Sequence, residues 1–210
     1  MSQTSNEPVS TYERILREAA ALFAVHGYHG TSTRDIAGRV GIRQPSLFHH
    51  FGSKHAIADR LFEIDLERSV RVSTHLAEAS GPASVRLFRY LRFELEVTVS
   101  SPYDLRGLYL TDLLAEPDFA QRQSQYQAVL DALRQVVVQG IQTGEFLDEE
   151  PELFVEILNA VITHAVVPAA DPIADGPQRV AALLVRSLLQ DPGRLPKVLD
   201  AAPVEDLELS

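Results

Sequence analysis

Cysteine is missing from all 210 residues, so the chain has neither disulfide nor thiolate chemistry and suits a reducing compartment. Lysine is nearly missing too, two against seventeen arginines, a bias that points to a G+C-rich coding sequence. No apolar run reaches the roughly 18 residues that suggest a membrane span. The polar residues 2–9 show no signal-peptide pattern, so a soluble, cytoplasmic protein is expected. The seven histidines do not fall into HExxH spacing, and no glycine-rich phosphate loop follows a strand, so no metal, cofactor or enzymatic activity is expected. His49 and His50 are neighbours, and side chains adjacent on a helix point about 100° apart, so the two cannot easily share an ion with His55.

Against these absences stands the segment STRDIAGRVGIRQPSLFHHFGSK at 32–54, two short helical patterns hinged at Gly41. Ser32 with Asp35 three residues later makes a capping-box variant, and Ile36, Ala37 and Val40 give an apolar face, so a helix is expected from about Thr33. Gly41 can take the left-handed conformation that closes it. Ile42 turns into the angle between the helices, and Pro45 sits early in the second helix, where its missing N–H costs little. Leu47 and Phe51 face inward, which leaves Gln44, Ser46, Phe48, His49 and His50 on or near the outer side. A small helix with such side chains on its N-terminal half has the geometry that reads base edges. Upstream, Ser10 and Glu13 form a full capping box, and Ile15, Ala19, Leu22 and Phe23 recur at helical spacing up to Gly27.

The order of these signals over 10–57, namely helix, loop, Gly-Tyr, a Thr/Ser-rich second helix start, a Gly-Ile turn and Leu-Phe-x-His-Phe-x-Ser-Lys, resembles the N-terminal domain of the tetracycline-repressor (TetR) family of bacterial transcriptional regulators. Two positions depart from the family pattern. Position 43, often Ser or Thr as an N-cap, is Arg43, which forgoes a cap of about 1 kcal/mol and gains a candidate phosphate contact. Position 48, commonly Tyr, is Phe48 and cannot donate a phenolic hydrogen bond. The resemblance implies base readout by Arg34, Gln44, Pro45, Ser46 and His50, with Thr33, Arg43, Phe48, His49 and Lys54 on the phosphate backbone. Gln44 suits adenine and Arg34 suits guanine. The net charge of −10 divides accordingly: residues 1–57 hold six Arg/Lys against four Asp/Glu, net +2, and the remainder holds −12. That asymmetry would turn the small domain toward DNA.

Beyond residue 54 the pattern is helical with no strand alternation. Helices are expected over 54–80, 83–100, 103–115, 118–143, 151–167 and 177–190. Together they give an all-α fold of about nine helices, an N-terminal three-helix DNA-binding domain (10–57) and a C-terminal ligand-binding and dimerisation domain (58–191). Flexible or loosely ordered tails are expected at 1–9 and 192–210. The last two helices are apolar over an arc wide enough to need burial on two sides, through Phe154, Ile157, Leu158 and Val161, then Val180, Leu184, Ser187 and Leu188. The resemblance implies a homodimer that joins these helices in a four-helix bundle. Arg68, His75, Phe88, Arg92, Tyr103, Arg106, Tyr109, Phe119, Gln123 and Tyr126 lie among the faces of the middle helices. They outline an effector pocket, although each aromatic suits core packing and each arginine a salt bridge. Asn159 and His164 suit either the pocket or the dimer interface.

The expected function is a ligand-responsive regulator, most simply a repressor, that binds a pseudo-palindromic operator as a dimer and is released by a small-molecule effector. The alternative is an all-α small-molecule-binding or protein-interaction module that no longer binds DNA.

Overall fold

A computed structural model describes residues 9–165 and 174–202. The 1–8 part of the expected N-terminal tail, most of the turn-rich stretch before residue 176 and the last eight residues lie outside that range. Among the described residues there is no strand, only an isolated antiparallel bridge between Phe146 and Leu189. They form ten α-helices and three short 3-10 turns, where nine helices were expected: α1 (Thr11–Gly30), α2 (Thr33–Val40), α3 (Gln44–His50), α4 (Lys54–Glu78), α5 (Ala83–Ser100), α6 (Arg106–Tyr109), α7 (Ala120–Gln142), α8 (Pro151–His164), α9 (Gly176–Leu188) and α10 (Leu195–Asp200). The chain falls into two compact units, one from 1–63 and 102–119, the other from 64–101 and 120–210.

In the first unit, both capping boxes form with reciprocal bonds, Ser10 with Glu13 and Ser32 with Asp35. The stop expected at Gly27 is a kink: its φ of 73° and ψ of 161° interrupt α1, which resumes to Gly30. Gly41 closes α2 at φ 76° and ψ 31°, and the Ile42 amide donates to the Ala37 carbonyl at 3.0 Å, a Schellman closure. α3 starts on Arg43 with no side-chain cap. Ile15, Leu16, Ile36, Val40 and Leu47 are buried, and Tyr12 stacks on Phe51 with ring centroids 4.7 Å apart.

The helix expected at 103–115 breaks up. Thr111, at φ −135°, leaves helical geometry and uses its hydroxyl to cap a 3-10 turn over Asp112–Ala115, so α6 is a single turn. This segment folds onto α1. α6 packs on α1 so closely that a Cβ on Gly107 would lie 2.3 Å from the Phe23 carbonyl carbon. Phe119, just beyond, sits against the rings of Tyr28, His55 and Phe62.

In the second unit α5 is the central helix, packed on by α7, α8, α9 and α10, with Leu87, Phe88, Leu91 and Leu95 buried. Pro82 precedes α5 and has no side-chain acceptor for its first amides. Glu145 supplies one from afar: its carboxylate accepts from the Ala83 amide at 2.9 Å, the Ser84 amide at 3.1 Å and the Ser84 hydroxyl at 2.6 Å. Burial works to raise this carboxyl, and the donors from Ser84, Ala83 and Thr143 overcome it and hold the group below its ordinary value. The stretch 192–202, expected to be loose, is built into this core. Its prolines stand in the first turn of short helices, where no amide is needed. Val198 and Ala202 are buried, and the Arg89 guanidinium donates to the Ala201 carbonyl at 3.0 Å.

Candidate nucleic-acid interface

α3 has seven residues and buries only Leu47. Pro45, Ser46, Phe48, His49 and His50 are all exposed, Phe48 to 45%. Arg34 on α2 and Arg43 before α3 are exposed beside them. This is the arrangement expected of a helix whose outer face meets base edges: one apolar anchor below, short polar and aromatic groups above. Gln44 and Thr33 are half-buried and bonded to each other, the Gln44 amide donating to the Thr33 hydroxyl at 2.8 Å. The first residues of α2 and α3 are thereby tied.

Lys54 departs from its expected role as an open phosphate contact. Its ammonium donates to the Tyr28 carbonyl at 2.6 Å and the Thr31 carbonyl at 2.9 Å, and it lies 4.2 Å from the Tyr28 ring centroid. These carbonyls close the end of α1, where a positive charge is favourable. Burial pushes the Lys54 ammonium below its ordinary value against the attraction of Glu116. Lys54 therefore braces the start of α4 against the end of α1, with one N–H left for a phosphate. Lys54→Met should lower the unfolding free energy by about 1–3 kcal/mol with no DNA present. Urea titrations matching the wild type would show that the brace carries no stability.

The family model described as bacterial regulatory proteins, tetR family, matches residues 15–61, the span just described. The HTH-type transcriptional repressor AcnR of Corynebacterium efficiens is 28% identical over 161 residues, 74% of this chain and 78% of its own length. The HTH-type transcriptional repressor KstR2 of Mycolicibacterium smegmatis is 40% identical over 58 residues, 28% of each protein. Residues 15–61 carry the DNA-binding domain of the TetR family. The chain is a DNA-binding transcriptional regulator. The crystal structure of Mycobacterium smegmatis AmtR matches with a TM-score of 0.76 at 28% identity, over 93% of this chain and 96% of that one. AibR in complex with isovaleryl coenzyme A and operator DNA shares the fold, at TM-score 0.70 and 18% identity, over 86% of this chain and 98% of that one.

The expected effector residues do not assemble as one group. Tyr103, Arg106, Tyr109 and Phe119 belong to the DNA-binding unit. There Arg106 pairs with Asp104 at 2.6 Å, and Tyr109 meets Phe62 edge-on. Arg68, His75, Gln123 and His164 are exposed on the second unit. Phe88 is core, and Arg92, buried beside it, donates to the Ala202 carbonyl at 3.4 Å. Tyr126 and Asn159 do come together, the phenol donating to the Asn159 amide oxygen at 2.7 Å. The residues that sequence reasoning passed over are Ser69, Tyr90 and Glu94, all buried. The signal was present in Glu94, a charge one turn after Tyr90 on α5.

Of the expected interface residues, Phe154, Leu158 and Leu188 are buried within the second unit's own core, because helices wide in apolar surface use one side for α5 and α7. Ile157 is 44% exposed, Val161, Val180 and Leu184 are half-buried, and Ser187 is exposed. Leu153 on α8 and Leu183 on α9 are exposed as well.

Proposed function

We propose that this TetR-family regulator is a repressor that binds a pseudo-palindromic operator as a homodimer and releases it when a small molecule binds its second unit. The observation that carries the reading is the bare outer face of α3, which no packing role explains. Exposed Arg34 and Arg43 and the net +2 of residues 1–57 add the electrostatic half of DNA binding. The exposed apolar face at Leu153, Ile157 and Leu183 suits a second copy, which would set two recognition helices in major grooves about 34–36 Å apart. α4 is continuous from Lys54 to Glu78, so a ligand that displaces its later turns acts on the helix that starts beside α3. A tenfold loss of operator affinity needs only about 1.4 kcal/mol of ligand preference for the DNA-free form.

Selection from genomic fragments, followed by salt titration of the selected site, tests this directly. Gln44→Ala should relax preference at one base pair per half-site by about 1–3 kcal/mol, and Arg43→Ala should weaken all sequences alike and make the log K against log salt slope shallower by roughly 1. Unchanged site preference and salt slope would remove these two roles. Retention of no fragment at low salt would favour the module without DNA binding.

Ile157→Asp should shift sedimentation from dimer to monomer at micromolar concentration, because a dimer would bury the carboxylate without a counter-charge. A wild type that is monomeric there and still binds an operator tightly would refute the homodimer.

A further inference from the structure

Thr33 and Gln44 are the first residues of consecutive helices, α2 and α3, and their side chains meet. The Gln44 Nε2 donates to the Thr33 hydroxyl oxygen at 2.8 Å, across eleven residues of sequence. Both residues are half-buried, whereas their neighbours Arg34, Arg43, Pro45 and Ser46 are exposed. A glutamine at the rim of an exposed helix face ordinarily samples several rotamers and can turn either its oxygen or its nitrogen outward. Here the bond to Thr33 holds the nitrogen end of the amide toward α2.

The amide can keep this bond while it reads a base. Its nitrogen carries two N–H groups and its oxygen accepts. Thr33 takes one N–H, which leaves the second N–H and the oxygen, the pair that adenine requires for its N7 and its N6 amino group. Guanine presents two acceptors at the same places, N7 and O6, and would set one of them against the amide oxygen. The Thr33 hydroxyl still carries its own proton. A phosphate oxygen can only accept, so an O–H turned toward the DNA backbone leaves a lone pair for Gln44 and fixes which end of the amide Thr33 holds.

We propose that Thr33 is a positioning residue for base readout: its hydroxyl holds the Gln44 amide so that one N–H and the oxygen are left for the groove, and it thereby sets the preference for adenine. This rests on the reading of α3 as the helix that enters the major groove, with Gln44 among its readers. Thr33 acts on specificity through Gln44 and not through a base contact of its own.

Site selection with the full chain, then titration of the selected operator and of its variants at the base pair that Gln44→Ala relaxes, tests this role. Thr33→Val keeps the shape and loses the hydroxyl, and its preference for adenine at that pair should fall at least about fivefold. Thr33→Ser restores a hydroxyl and should keep the preference. In a Gln44→Ala background, Thr33→Val should cost no further preference, because the two side chains act there as one unit. A merely structural bond, or a phosphate contact alone, would weaken all sequences alike and leave the preference at that pair intact. That result, an additive double variant, or a loss in Thr33→Ser equal to that in Thr33→Val overturns the proposal. If the wild type selects a site and Thr33→Val matches its preference, the positioning role alone is overturned. If Gln44→Ala leaves every preference unchanged, Gln44 is no reader and the positioning role falls with it. If the wild type retains no DNA, the regulator reading above fails, and this role with it.

Discussion

Gly107→Ala is expected to lower the unfolding free energy by about 3 kcal/mol, the upper end of ordinary overpacking. The new methyl would stand 2.3 Å from the Phe23 carbonyl carbon, 2.5 Å from its oxygen and 2.7 Å from the Ala24 nitrogen. All three are backbone atoms of α1, which cannot rotate aside as a side chain can. α6 must then move away from α1 and loosen the buried contacts of Phe23, Leu105 and Leu108. Gly38→Ala is the matching control. Gly38 lies in α2, exposed, with nothing within 4 Å of the added carbon, and the change should stabilise by roughly 0.5–1 kcal/mol. Urea unfolding of the two variants should therefore move in opposite directions. A Gly107→Ala midpoint at or above that of the wild type would mean that α6 is not seated on α1 as described.

The second large effect concerns Glu94 and pH. Its folded carboxyl, raised to about 8 by burial and by Asp65, keeps its proton over a range in which an unfolded glutamate, with its ordinary value near 4.5, has lost it. The folded state thus binds more protons than the unfolded one between about pH 4.5 and 8, so stability falls as pH rises through that window and levels off above it. The loss amounts to at most about 5 kcal/mol. Glu94→Gln cannot ionise and should flatten this slope. The variant should match the wild type near pH 5 and exceed it increasingly toward pH 8. Urea titrations at four pH values would show this as diverging curves, and parallel curves would mean that Glu94 is charged and solvated in the folded protein.

The DNA-binding end was readable from residue order because its determinants are local. Ser10 with Glu13, Ser32 with Asp35, the left-handed Gly41 and the buried Leu47 each act within a few residues of their own position. The length of the helix after Ser101 was misread for a local reason too small to notice in advance, the extended backbone at Thr111. The stretch from Pro192 was expected to be loose, yet its first prolines stand where helices tolerate them.

The sequence by itself determined an all-α chain, its capped helix-turn-helix, the outward face of α3 and the uneven charge of its two ends, because periodicity, caps and turns are properties of short segments. Tertiary structure decided that 102–119 joins the DNA-binding unit, that Lys54 braces the end of α1 and that Glu145 caps a helix 62 residues upstream. It also divided the expected effector residues and buried Glu94 beside Ser69. These outcomes depend on which surfaces meet across long stretches of chain, and a one-turn helix or a lone glutamate carries no periodic signal of its distant neighbour.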